Sequence, residues 1–233
     1  MKYLFVFAHP DDETVACAGT MKSLIENGDE VYVILATAGD AGEVMLRAQQ
    51  DLEKQGSVEA LRRAELEEVS KHLNITECIV LEHKDGEINN KAVWDSLQKD
   101  IIEKIDTIQP DVVITFDHTG WYYHLDHVGV SISTTLAYQQ SHHRPQALLF
   151  SHYQPGGTKW NYIFRQSPIT HQVLITDIDH KLHAMELHAS QDLSTPKQFL
   201  SSQYPAAEFY ELVMADYRGK MLFLNHDIFI STK

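Results

Sequence analysis

The chain has 233 residues, 43% of them hydrophobic and 22% charged, with a formal net charge of -14 and two cysteines. Such a balance supplies the core of one α/β domain over 1–233, and the acidic surplus argues against a nucleic-acid or anionic-membrane partner, since either needs a basic patch. Cys17 and Cys78 each fall among apolar residues and read as reduced thiols of a cytoplasmic protein, and the N-terminal apolar run is too short for a signal peptide or a membrane anchor.

Tyr3-Leu4-Phe5-Val6-Phe7 is an unbroken apolar run closed by a His-Pro pair, the pattern of a strand buried on both faces. A helix is predicted over Thr14 to Glu26, stopped at Asn27-Gly28. Val31 to Ala36 reads as a second strand, and it leads into the Gly-rich loop "TAGDAGE" at 37–43. Helical spacing then covers Val58 to Leu73, "CIVLE" at 78–82 forms a third strand, and a further helix runs over Ala92 to Ile108. "PDVVITF" at 110–116 is a fourth strand, followed by the polar loop "DHTGWYYHLDH" and a helix over 125–140. Beyond residue 150 the pattern loosens: "YQPGGTKWNYIFRQSP" at 153–168 reads as an insertion or lid, then come a strand at 171–178 and a helix over 179–190. Strands alternating with helices predict a Rossmann-like layered α/β fold, a mostly parallel sheet flanked by helices.

Ligands of such sheets collect at the carboxyl ends of the strands. Both unusual polar segments, 8–13 and 117–127, directly follow predicted strands and should open onto the same sheet edge. The first, "AHPDDE", crowds Asp11, Asp12 and Glu13 together, which is costly unless the acids are paired or bound to a metal. It offers His9 and Asp12; the second offers His124 and His127, three apart and so on one face of a helix's first turn. Two histidines and an aspartate with one position left for water would make an open catalytic zinc site.

"AHPDDE" followed about 115 residues later by "HLDH" resembles the N-acetylglucosaminyl-phosphatidylinositol de-N-acetylase family, also called PIG-L or LmbE-like. The resemblance extends to "TAGDAGE", to Arg62-Arg63-Ala64-Glu65, to Asp85-Gly86 and to "KLHAMELHASQ" at 181–191; many members carry Pro where this chain has Leu125. It implies a metal-dependent hydrolase removing an N-acetyl group from an N-acetylglucosamine-type amino sugar or its conjugate. By match to the motifs, His9, Asp12 and His127 would hold Zn2+, with Fe2+ suited to the same donors. Asp11 would be the general base, His124 would stabilise the oxyanion or protonate the amine, and Asp126 would orient His124. Glu43, Arg62, Asp85, Tyr122 and His188 would line the substrate, with Trp121 and Trp160 as candidate sugar platforms.

The fingerprints of rival chemistries are missing: there is no G-x-G-x-x-G after the first strand, no G-x-S-x-G and no H-E-x-x-H. Two alternatives stay open, the same metal site hydrolysing a non-sugar N-acyl amide, and a metal-bearing binding protein without turnover. The expected partner is a small-molecule amino sugar; the aglycone and a homo-oligomeric state are also left open.

Overall fold

In a computed structural model, which describes residues 1–152, 168–202, 205–224 and 226–232, the first apolar run is β1 (Lys2–Phe7). Tyr3 to Phe7 are wholly buried, so β1 has no polar face, as expected of a central strand covered on both sides. Helix α1 (Asp12–Glu26) follows, then β2 (Glu30–Thr37), α2 (Gln49–Gln55), α3 (Val58–Leu73) and β3 (Glu77–His83). Next come α4 (Lys91–Ile108), β4 (Val112–Phe116), the short turn α5 (Gly120–Tyr123) and α6 (Leu125–Gln140). The remainder is β5 (Ala147–His152), β6 (His171–Leu174), α7 (Ile178–Leu187), α8 (Ser194–Ser202), β7 (Ala207–Ala215), α9 (Tyr217–Leu224) and β8 (Ile230–Ser231).

These strands form one sheet in the order β3-β2-β1-β4-β5-β7-β6-β8. β1 pairs in parallel with β2 on one side, Tyr3 opposite Val31, and with β4 on the other, Tyr3 opposite Val112. β3 and β5 extend this parallel core, and β7 then runs antiparallel to both β5 and β6. The chain reverses its direction of travel across the sheet between β1 and β4, and such a switch point opens a crevice beyond the carboxyl ends of those two strands. The mostly parallel sheet flanked by helices is the architecture that the alternation of elements predicted.

Helix α1 starts at Asp12, two residues before the predicted Thr14, so Asp12 and Glu13 lie in its first turn, where carboxylates favour the helix dipole. The strand predicted over 171–178 is shorter, because Asp177 accepts the backbone N–H of His180 through its side chain and caps α7. The helix predicted over 179–190 ends at Leu187, which frees His188 from helical geometry. The proposed lid lies outside the described residues except Pro168, as does Trp160. Among the described residues no helix is long and apolar enough to cross a membrane.

α6, which begins in the second polar loop, packs on α4. The approach is close at Gly129, where a Cβ would stand 2.6 Å from the Ile88 carbonyl oxygen and 2.8 Å from Trp94 Nε1. Alanine normally gains about 1 kcal/mol over glycine in a helix, but overpacking against backbone costs about 1–3 kcal/mol. Gly129→Ala should therefore lower the urea midpoint; a raised midpoint would show that α6 shifts freely on α4.

Candidate active site

The carboxyl ends of β1 and β4 bring His9, Asp11 and Asp12 to one side of the crevice and His124, Asp126 and His127 to the other. The Asp12 carboxylate lies between two imidazoles, with Oδ2 3.4 Å from His9 Nδ1 and Oδ1 3.3 Å from His127 Nε2. The His9 backbone N–H also donates to Asp12 Oδ2 at 2.8 Å, closing the turn into α1. His9, His124 and His127 offer nitrogens within 4.8 Å of one another, as do the ligand atoms of His9, Asp85 and Asp126.

Zinc bonds of about 2.0–2.1 Å separate tetrahedral donors by about 3.3 Å. The two contacts of Asp12 have that spacing. A nitrogen that could serve as a donor, His124 Nδ1, is buried without a partner among the described residues. The arrangement of donors thus suits a divalent cation, and the histidine–aspartate cluster is a metal-binding candidate.

Electrostatics point the same way. Burial opposes charge on Asp12, but His127 and His9 facing it hold the carboxyl at about 2. Burial pushes His127 down to about 3, although Asp12 beside it works the other way. Burial also works against charge on His9, yet Asp12, Asp126 and Asp85 outweigh it and raise its pKa well above the imidazole range. Without a metal, a proton on His9 is the cation these carboxylates share; binding of a metal would release it. Burial and the neighbouring Asp12 push Asp11 up to about 8, and its carboxylate has no hydrogen bond or ion pair among the described residues.

Aromatic packing fixes the His127 ring. Phe116 stacks on it at 4.1 Å with planes 10° apart, and Trp121 meets it edge-on at 5.3 Å. Trp121 has φ 65, and Asp117 holds it there by accepting its backbone N–H at 2.8 Å and the Thr119 hydroxyl at 2.7 Å. Gly120 permits the loop to press on α6, since a Cβ there would fall 2.8 Å from both His127 Cβ and the Val128 nitrogen. With its Nε1 donating to the Ser151 carbonyl, Trp121 backs His127 rather than offering a face to sugar.

The expected substrate residues divide. Tyr122 stands exposed over the histidines, with ring centroids 5.5 Å from His127 and 6.2 Å from His124. Arg62 is buried against Gly39 and Gly42, and its Nε lacks a partner. Glu43 is exposed on the same loop, outside the cluster. Asp85 instead contacts His9 Nε2 at 3.0 Å and accepts the Ala41 N–H at 3.0 Å, tying the Gly-rich loop to the metal cluster. Asp126, expected to orient His124, lies 3.3 Å from His9 Nε2 and accepts the Gly86 N–H at 2.7 Å; the geometry assigns it to His9 because Gly86 draws its carboxylate that way.

His188 departs furthest from expectation. It is wholly buried beneath the site, with Nε2 2.7 Å from Glu13 Oε1, while Glu13 Oε2 accepts the Asp11 backbone N–H at 3.0 Å. Asp11 has φ 129, a conformation costly for a residue with a Cβ, and this chain of bonds braces it. Glu13 was visible in the acidic triplet, but nothing local tells which acid turns inward. Asp117 likewise reads from the sequence only as a polar residue after a strand.

The sequence matches the PIG-L family, described as GlcNAc-PI de-N-acetylase, over residues 4–138. The chain belongs to the PIG-L family. Membership places it among de-N-acetylases, hydrolases of carbon–nitrogen bonds other than peptide bonds. It is 24% identical to a mycothiol S-conjugate amidase of Streptomyces coelicolor over 91% of this chain and 78% of that one. It is 30% identical to a 1D-myo-inositol 2-acetamido-2-deoxy-alpha-D-glucopyranoside deacetylase of Mycolicibacterium smegmatis over 58% of this chain; the match spans 52% of that relative, about half its length. In fold it resembles a conserved protein of Thermus thermophilus, with TM-score 0.71, 18% identity and coverage of 92% and 95%. It also resembles the N,N'-diacetylchitobiose deacetylase of Pyrococcus horikoshii, with TM-score 0.67, 22% identity and coverage of 97% and 86%.

The Glu13–His188 pair makes stability depend on pH. Burial alone would lower the His188 pKa, but the charge and hydrogen bond of Glu13 outweigh it and raise it above the ordinary value. A raised imidazole pKa contributes stability that is fully present below about pH 6.5 and lost as pH rises through the folded value. In metal-free protein, the stability advantage over Glu13→Gln should be largest below about pH 6.5 and shrink on the alkaline side. A flat difference in urea unfolding free energy from about pH 6 to 9 would mean that His188 is neutral when folded.

Proposed function

We propose that this protein is a zinc-dependent hydrolase that removes the acetyl group from an N-acetylglucosamine-type amino sugar or its conjugate. The observation that carries this reading is the division of labour between adjacent acids: Asp12 is committed to His9 and His127, while the Asp11 carboxylate beside it has no hydrogen bond or ion pair among the described residues. Family membership supports the deacetylase class, and the names of the relatives support an amino-sugar substrate.

His9, Asp12 and His127 would hold the ion. Bound there, zinc supplies a Lewis acid and lowers the pKa of water from about 16 toward about 7. Asp11 takes the proton of the attacking water, and the raised affinity of its carboxyl for protons suits that role. His124, its ring 4.5 Å from that of His127, donates to the developing oxyanion or to the departing amine, which leaves poorly until protonated. Asp85 and Asp126 orient His9 from behind. Tyr122 forms a wall over the histidines, and Arg62 and Glu43 would line the sugar from the side of the Gly-rich loop.

Zinc-loaded protein should release acetate from N-acetylated amino sugars in a panel that also contains non-sugar N-acyl amides. Preference for the latter would replace the substrate class, and no release from either would refute the hydrolase. Asp11→Asn should keep zinc, by elemental analysis, while kcat falls about 10²–10⁴-fold. Asp12→Asn and His127→Ala should lose the zinc itself. If Asp11→Asn loses metal and Asp12→Asn keeps it, the two roles are reversed.

A further inference from the structure

Beneath the site, one turn of α1 is gripped by a buried ion pair from other elements. Lys181 of α7 and Glu208 of β7 are 3% and 5% exposed and contact each other directly. Lys181 Nζ donates to the Val15 carbonyl at 2.8 Å. Glu208 accepts the Gly19 backbone N–H at 2.9 Å, the Thr20 backbone N–H at 2.7 Å and the Thr20 hydroxyl at 2.6 Å. The Tyr210 hydroxyl closes the cluster by donating to Thr20 Oγ1 at 2.6 Å.

In an α-helix the Val15 carbonyl and the Gly19 N–H are ladder partners. Here each also meets one member of the ion pair, so the two charges grip the same turn of α1 from its outside. Glycine at 19 belongs to the same device, since a Cβ would stand 2.9 Å from Ile175 Cγ1 and 3.1 Å from Glu208 Oε1. One turn before Val15, α1 carries Asp12 and Glu13. Two turns along from Lys181, just past the end of α7, His188 grips Glu13, so this segment holds α1 at both the Val15–Gly19 turn and the first turn.

We propose that the Lys181–Glu208 pair is a positioning element of the metal site: by gripping this turn of α1 it fixes where Asp11 and Asp12 stand against His127. The proposal rests on the metal-site reading above. Two charges buried in a core contribute little net stability compared with apolar residues of similar volume, and a helix supplies partners for Val15 and Gly19 without them. What the pair adds is the geometry of the turn that presents the acids.

The test uses Lys181→Met/Glu208→Met, which removes both charges while keeping volume, with Glu208→Gln as the milder change and Lys181→Arg as the conservative one. Zinc affinity of chelator-stripped protein is measured by competition with a chromophoric chelator, beside Tm and steady-state kinetics. The double variant should bind zinc about 10-fold or more weakly, with kcat reduced and KM within about twofold; Lys181→Arg should retain most of both. If the double variant does not fold, Glu208→Gln is read on the same measurements with the same expected direction. A variant that loses only Tm while its zinc affinity and kcat match the parent overturns the positioning role. Asp12→Asn is the control: if it binds zinc like the parent, the metal-site reading fails and the proposal falls with it.

Discussion

The Asp12 carboxylate is buried between His9 and His127, and much of the surrounding structure keeps a charge there tolerable. A carboxylate removed from water costs several kcal/mol unless it is paired and hydrogen-bonded. Here the His9 backbone and ring face one oxygen, and the His127 ring faces the other. His9 in turn is held by Asp85 and Asp126, whose other contacts are the Ala41 and Gly86 amides. Three segments distant in sequence are thereby fastened to one imidazole, and a cation is needed to balance them.

The same corner concentrates unfavourable backbone. Asp11 at φ 129 and Trp121 at φ 65 lie on opposite sides of the cluster, in regions that L-residues seldom adopt. Each is braced by a buried acid, Asp11 by Glu13 with His188 behind it, and Trp121 by Asp117. The braces account for two of the buried acids near the histidines. They also separate the acids by contact: Asp12 pairs with His9 and His127, Glu13 and Asp117 support the backbone, and the Asp11 carboxylate has no hydrogen bond or ion pair among the described residues.

Sheet topology supplies the meeting place. Parallel pairing of β1 with both β2 and β4 makes their carboxyl ends diverge at the switch point, and the first turns of α1 and α6 enter the same crevice. Helix α7 and the residue after it then lock the first of these helices from beneath, through Lys181 on the Val15 carbonyl and His188 on Glu13. The site is thus built at a junction of two strand ends and two helix starts, with its second layer of contacts drawn from the far end of the chain.

Local pattern was enough for the parallel half of the fold apart from β5. Buried strands and amphipathic helices leave periodicities of two kinds, and the elements from β1 to α6 follow them apart from the short α2 and α5. The two polar motifs were equally legible, because charged and imidazole side chains crowded at strand ends have no packing explanation. The parallel β5, the antiparallel β7 and β8 and the late helices α8 and α9 were not anticipated, since short segments carry little periodic signal. The tertiary structure alone decided where the side chains point: Asp126 to His9 rather than His124, Asp85 to the metal cluster, His188 into the core, and Lys181 with Glu208 onto α1. Those partners lie up to 189 residues apart in sequence. Chain sequence fixes which groups are available locally, but hydrogen-bond direction and charge pairing across such distances are set only when the strands and helices have packed.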